Sequence, residues 1–323
     1  MNKIKLAFKY MPREAVKEDN YFLNLLTNNF NIEICENADF ILFSTFTDKN
    51  TKEIPIIKEK ATTIFWTGEN IRIDMKKYNY AFGFDYEKKV KNQNYLRLPL
   101  YTYFEAGKNL VKGKNYNPQK ILKEKTKFCN YIYSKDAKER VEFFKELSKY
   151  KKINAPGRSM NNSPPITPTN LSFLLKPLQL VEGLSGKYTL SSMISRHFSN
   201  WREDVMNYQR QFKFTIAFEN ASYPGYTTEK IYHPMLANSI PIYFGNPEIK
   251  KEFNTKSFVN WHDYNDNKKV IDVIIDLDTN DKKYCKKLSQ PWFNKNTPNK
   301  WCDEEKVIKQ FEKIFKTKRK NKN

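Results

Sequence analysis

The stretch Phe212–Pro247, FKFTIAFENASYPGYTTEKIYHPMLANSIPIYFGNP, concentrates residues that can do chemistry. Its aromatic and β-branched start predicts a strand over Phe212–Phe218. The strand ends at Glu219 and Asn220, and a turn with Pro224 and Gly225 follows. Tyr226-Thr227-Thr228-Glu229-Lys230 then opens a helix predicted over Thr228–Leu236. Thr227 or Thr228 suits the N-cap and Glu229 the first turn. A helix start presents unpaired N–H groups and a positive dipole end, which together suit a phosphate. Lys230 adds a formal charge there and Tyr226 a phenol. Shape alone leaves two readings open: a phosphate site, or the ordinary strand–turn–helix crossover of an α/β protein. The sequence carries neither GxxxxGK[ST] nor GxGxxG, which disfavours nucleoside-triphosphate hydrolysis and the usual dinucleotide fold.

Two other charged residues stand at suggestive places. Glu69 directly follows a predicted strand, Ala61–Trp66. The carboxyl ends of strands are where open α/β sheets place ligands, although an ordinary loop glutamate fits the same position. Arg140 lies in a helix predicted over Asp136–Tyr150, whose Val141, Phe144, Leu147 and Ser148 sit at helical spacing. Its guanidinium fork matches a phosphate, or it is a solvated charge on the helix face. His197, His233 and His262 form no HxH or HExxH pair, and His233 reads as a packing residue. Cys35, Cys129, Cys285 and Cys302 form no CxxC pair or zinc spacing. Asp263-Tyr264-Asn265-Asp266 reads as a polar turn, and no metal site is predicted.

The elements that must position these residues alternate. Strand-like runs occur at Lys3–Lys9, Ala38–Phe46, Ala61–Trp66, Tyr80–Phe84 and Leu96–Tyr101, with a helix over Glu18–Asn29. A second series comprises Lys127–Tyr133, Ile153–Ala155, Phe212–Phe218 and Ile240–Phe244. This βαβ punctuation predicts mostly parallel sheets in 323 residues, long enough for two domains. Residues 162–200 read as a long insertion with a little local helix, and Ser163–Pro168, with three prolines, cannot be a helix interior. A loop of that length suits a lid, an acceptor-side surface or a linker. A last helix is predicted over Asp303–Phe315, burying Val307, Ile308, Phe311, Ile314 and Phe315, followed by the basic tail KTKRKNKN. That tail is a frayed solvated end or a contact with an anionic leaflet.

Lys and Arg number 57 against 36 Asp and Glu, a formal charge of +21. Nucleic acid, an anionic membrane face and a phosphate-bearing substrate all fit such a balance. The basic residues are dispersed and no RNP-type basic–aromatic cluster occurs, so a nucleic-acid partner is not expected. No apolar run reaches transmembrane length and the N-terminus lacks a signal-peptide core, which places the chain in the cytoplasm by expectation.

The pattern FKFTIAFEN, YTTEK and ANSIPIYFGNP resembles the signature of the α1,3/4-fucosyltransferases of glycosyltransferase family 10. FWTGEN (Phe65–Asn70), YAFGFDYE to YLRLPLY (Tyr80–Tyr101) and FCNYIYSKDAKER (Phe128–Arg140) resemble further segments of that family. The resemblance covers most of residues 60–250, and the unanchored chain looks like the bacterial members. It implies an α/β fold of the GT-B type, two Rossmann-like domains facing across a cleft. The divisions expected are 1–112 on the acceptor side, 113–300 holding the donor, and 301–323 as a C-terminal helix and tail, with the helix packing back on the first domain.

The resemblance further implies inverting transfer of fucose from GDP-fucose to the GlcNAc, or glucose, of a lactosamine-type acceptor. Such an acceptor carries galactose–GlcNAc at its end, and the linkage expected is α1,3, in bacterial surface glycans. It assigns the base to Glu69 and donor binding to Arg140, Asn220, Tyr226, Glu229, Lys230 and Ser134. Lys135 stands where the family has Asn after that serine. No obligatory cofactor is implied, a divalent cation being at most stimulatory. A transferase of the same fold using another nucleotide sugar is the alternative.

Overall fold

The structure is a computed structural model that describes residues 3–11, 21–46, 57, 60–185, 188–198 and 201–320. Contacts gather into two units. The first comprises Met1–Gly107, Pro224–Thr228 and Pro298–Asn323, and the second Lys108–Tyr223 and Glu229–Thr297.

The first unit is built on six strands: β1 (Ile4–Lys9), β2 (Ile32–Ile34), β3 (Phe40–Phe43), β4 (Thr62–Trp66), β5 (Tyr80–Gly83) and β6 (Tyr95–Arg97). They form one parallel sheet in the order β2-β1-β3-β4-β5-β6. The inner strands FILF and YAFG are buried along their whole length because both faces of the sheet are covered. Side chains still alternate. Phe40, Leu42, Ile64, Trp66 and Phe82 face one core, while Ile41, Phe43, Phe65 and Ala81 face the other.

Two helices drawn from opposite ends of the sequence close the first of these cores. Tyr21–Asn29 brings Phe22, Leu25 and Leu26; Glu304–Lys320 brings Val307, Phe311, Ile314 and Phe315. The Phe311 ring stacks on Phe82 at 5.1 Å and meets Phe22 edge-on at 6.1 Å. Burying such a side chain contributes about 1.5–3 kcal/mol. The same helix runs on to Lys320, so Lys316–Lys320 of the basic tail is helical rather than frayed. Glu18, Asp19 and Asn20 of the helix predicted over Glu18–Asn29 lie outside the described residues, as do Asn321, Lys322 and Asn323. The run Leu96–Tyr101 is not one strand: β6 stops at Arg97, and Pro99, with its fixed φ, begins the short helix Leu100–Tyr103.

The second unit contains β7 (Lys127–Asn130), β8 (Ile153–Asn154), β9 (Phe212–Phe218), β10 (Ile240–Phe244) and β11 (Val259–Asn260). Its sheet is parallel, in the order β11-β10-β9-β7-β8. Counted from β7, the strands run second, first, third, fourth, fifth. The direction of winding therefore reverses between β7 and β9, and the crevice beyond such a reversal is where doubly wound sheets bind ligands.

The helix after β7 spans Lys138–Leu147. It buries Arg140, Phe143, Phe144 and Leu147, so the inward stripe differs from the predicted Val141, Phe144, Leu147 and Ser148. The 140, 143, 144, 147 series is itself helical spacing. The insertion departs further from its expected loop. Beyond the proline-rich segment and the turn Thr169–Leu171 it forms helices over Ser172–Ser185 and Leu190–Phe198. Pro177 inside the first of these removes only the bond to the carbonyl of Phe173, a residue on the exposed side.

Candidate active site

The charged residues of the second unit meet at the reversal point of its sheet. Arg140, carried there by the helix after β7, is 3% exposed. Its Nε and Nη2 donate to the Phe218 carbonyl at 3.1 and 3.0 Å, and Nη2 also donates to Asn220 Oδ1 at 2.5 Å. The guanidinium lies over the Tyr133 ring at 4.1 Å. Tyr133 is itself fixed: its hydroxyl donates to the Ile216 and Phe218 carbonyls and accepts from the Phe218 N–H at 2.7 Å. Burial pushes the Tyr133 phenol far above its usual range, against the opposing pull of Arg140 and Lys230. The Arg140 side chain thus meets two neutral acceptors and a ring face, and among the described residues no carboxylate pairs with it. A buried cation without a counter-ion is costly, and the group that would relieve it is an anion.

Lys230 differs. Its ammonium lies 2.9 Å from Glu229 Oε1 and 3.7 Å from Glu219 Oε2. Two carboxylates already share it, and Glu219 is wholly buried. The reason lies in Gly245, just after β10. A Cβ on Gly245 would come within 2.3 Å of Glu219 Cγ, so the bare glycine is what lets Glu219 lie between the strand ends. The Glu219 N–H also donates to the Phe244 carbonyl at 2.7 Å. Burial works against ionisation of Glu229, but the charges of Lys230 and His233 prevail and hold its carboxyl at about 2.

The helix Glu229–Leu236 that carries this pair is closed by Asn238 in the left-handed region at φ 53°. Ser239 donates back to the Pro234 carbonyl and Asn238 to that of Met235, a Schellman end. His233 is buried in it, as expected of a packing residue, and burial, with Arg202 and Lys230 acting the same way, lowers its pKa to about 4.

The other predicted residues lie on three different loops. Ser134 is exposed on the loop between β7 and the helix of Arg140. Glu69 belongs to the first unit, on the loop after β4. Its N–H donates to Thr67 Oγ1 at 3.0 Å and its carbonyl accepts from Ile71 at 2.7 Å, a tight turn that holds the residue half-buried. Tyr226 also falls in the first unit, which takes Pro224–Thr228 out of the middle of the second. It is 1% exposed, its ring edge-on to Phe84 at 5.0 Å.

Sequence reasoning missed the residue that fastens this turn. Arg97, fully buried, donates to the Phe84 carbonyl at 2.8 Å and to the Gly225 carbonyl at 2.9 Å. Its guanidinium lies between the rings of Tyr86 and Trp301, at 4.5 and 4.2 Å. Gly225 has φ +87°, and a Cβ there would meet the Phe84 carbonyl at 2.6 Å. Among the described residues no three His, Cys, Asp or Glu side chains group as metal ligands do. Asp263 to Asp266 form the polar turn anticipated, Asp266 capping the next helix by accepting from the Lys269 N–H at 2.8 Å.

Comparison with known proteins settles the class. Two solved structures, of an α1,3-fucosyltransferase and of an α1,3-fucosyltransferase with GDP-fucose, share the fold with TM-scores of 0.71 and 0.67. Each is 23% identical, over 97% of this chain and 90% of that one. The fold is therefore that of the GT-B glycosyltransferases. Residues 122–321 match the C-terminal model of glycosyltransferase family 10 (fucosyltransferase), and residues 8–104 match the alpha-(1,3)-fucosyltransferase FucT N-terminal domain. The chain belongs to glycosyltransferase family 10.

It is 30% identical to the alpha-(1,3)-fucosyltransferase FucT of Helicobacter pylori over 80% of this chain and 53% of that protein. It is 31% identical to a putative fucosyltransferase of Acanthamoeba polyphaga mimivirus over 55% of this chain and 26% of that one. The chain thus spans about half or less of the length of these relatives.

Proposed function

We propose that the chain transfers fucose from GDP-fucose to a sugar hydroxyl with inversion at the anomeric carbon. The observation that carries this reading is Arg140: a buried guanidinium at the sheet's reversal point whose only partners among the described residues are neutral. The donor's diphosphate supplies the missing anion. Arg140 takes one phosphate, and Lys230 turns from its carboxylates to the other. The N–H groups that open the helix Glu229–Leu236 complete the cradle. Asn220 and Glu229 then serve the ribose or fucose hydroxyls, with Ser134 and Tyr226 completing the donor contacts. Glu69 takes the proton of the acceptor hydroxyl as that oxygen attacks the anomeric carbon, and GDP leaves from the opposite face.

The acceptor proposed is the GlcNAc or glucose of a galactose-terminated lactosamine-type sugar in a bacterial surface glycan, joined α1,3. Support comes from the family and from the named activity of the Helicobacter pylori relative. No helix among the described residues is long and apolar enough to cross a membrane. We place the reaction in the cytoplasm, with the basic tail touching an anionic inner leaflet.

The test is a panel of GDP-fucose, GDP-mannose and UDP-galactose against lactosamine and lactose, run with and without EDTA. GDP-fucose alone should turn over, and a large share of activity should survive chelation because cationic side chains carry the leaving-group charge. Transfer from another donor, or a loss restored only by Mn²⁺, would overturn the donor or the metal-free reading respectively.

A further inference from the structure

We propose that the outward face of the helix Ser172–Ser185 is a membrane-docking surface that seats apolar side chains at an anionic lipid–water interface. The helix is apolar on two opposite sides. Its inner side holds Leu175 and Gln179, both buried, and the Gln179 amide donates to the Pro165 carbonyl at 3.2 Å and to Thr167 Oγ1 at 2.8 Å. The proline-rich segment is thus the bracket that fixes the helix. The outer side carries Phe173, Leu174, Leu180, Val181 and Leu184, between 65% and 90% exposed. These positions recur at i, i+1, i+7, i+8 and i+11, one continuous stripe. A helix apolar all round is normally buried, and an exposed apolar stripe of this kind marks an interaction site.

Charge identifies the occupant. Four charged residues lie between positions 162 and 200: Lys176, Glu182, Lys187 and Arg196. The one carboxylate is spent internally. Glu182 accepts from the Leu190 N–H at 2.7 Å and from the Ser191 hydroxyl, capping the helix Leu190–Phe198. The segment's sequence therefore combines apolar residues with a positive surplus, the composition of an interfacial helix on anionic lipid. A second copy would bring +21 against +21, which repels. Lipid contact here adds apolar insertion to whatever electrostatic contact the basic tail makes. It does not depend on the transfer reaction.

The experiment is sedimentation of the full chain with vesicles of phosphatidylcholine and phosphatidylglycerol, read alongside its elution volume. Phe173→Ser/Leu180→Gln/Leu184→Gln changes only exposed side chains, and its melting temperature should match the parent. Its vesicle affinity should fall at least about tenfold. Lys318→Glu/Arg319→Glu/Lys320→Glu should retain insertion: in that background, Phe173→Trp should still be quenched by brominated lipid. Parent-like binding by the triple apolar variant, or no quenching of the tryptophan, would overturn the proposal. So would a parent that ignores vesicles and elutes as a dimer which the apolar variant returns to monomer, making a second copy the occupant.

Discussion

The two sheets share a winding pattern but place their candidate chemistry differently. In the second, the charged side chains collect where the strand order reverses, behind β7 and β9. Backbone carbonyls and a buried tyrosine hold them there. In the first, the order reverses at β1 and β3, and the candidate base instead follows β4 on a tight turn. The proposed donor residues are thus gathered by topology, whereas the proposed base sits on a loop that only its local motif marks. If that division is right, damage to one side should be kinetic and damage to the other should be felt in binding.

The largest effect expected is at Glu69. Glu69→Gln should lower kcat by about 10²–10⁴, the usual worth of a general base, while calorimetry finds GDP binding unchanged. Weakened GDP binding in that variant would erase the distinction between the two units. Next is the core beneath the first sheet. Phe311→Ala should cost about 3–5 kcal/mol, as large-to-small changes at filled sites do. Denaturant unfolding would show it, and a loss below 1 kcal/mol, within the ordinary spread for mutations outside such sites, would remove the C-terminal helix from that core.

A third effect concerns pH. The folded chain keeps His233 neutral down to about 4, whereas the unfolded chain takes up its proton near 6.5. This contribution is whole above pH 6.5 and is lost as pH falls to 4, on the order of 3 kcal/mol. Glu229 adds its own loss only below about pH 4.5, so above that the loss comes from His233 and, in the same direction, from His262, whose pKa burial also lowers. His233→Gln should flatten the stability profile between pH 6.5 and 4.5; an unchanged slope would assign it to another group. The smallest effect is at Arg140. Arg140→Ala should weaken GDP binding by about 1.5–3 kcal/mol, the range for hydrogen bonds to charged groups, and Arg140→Lys should recover part of it. Equal GDP affinity in all three proteins would dissociate the buried guanidinium from the phosphate.

Much of the fold is legible in the sequence because buried parallel strands read as apolar runs, as FILF, FKFTIAF and IPIYF do. What escapes depends on a single step of phase or on a distant partner. Arg140 looks like a solvated charge until the inward stripe of its helix is placed on Phe143 rather than Val141. The double pairing of Lys230 follows from the room Gly245 leaves for Glu219 across a strand end. Arg97 needs Trp301 to cover its guanidinium, a partner that no local pattern announces. The helix Ser172–Ser185 escapes because it is apolar on two sides, which erases periodicity, and because Pro177 argues for a break where none occurs.

The helix Glu304–Lys320 has a consequence for how the chain comes off the ribosome. The first strand of the first unit is made long before the wall that Phe311, Ile314 and Phe315 supply. Everything the second unit needs has been synthesised by then, so that unit can finish before the one that precedes it in the sequence. Until Phe311 arrives, Phe22 and Phe82 lack one of the rings they pack against. The nascent first sheet is therefore the part of the chain that most needs protection by a chaperone, and a translational pause before residue 304 would lengthen its exposure.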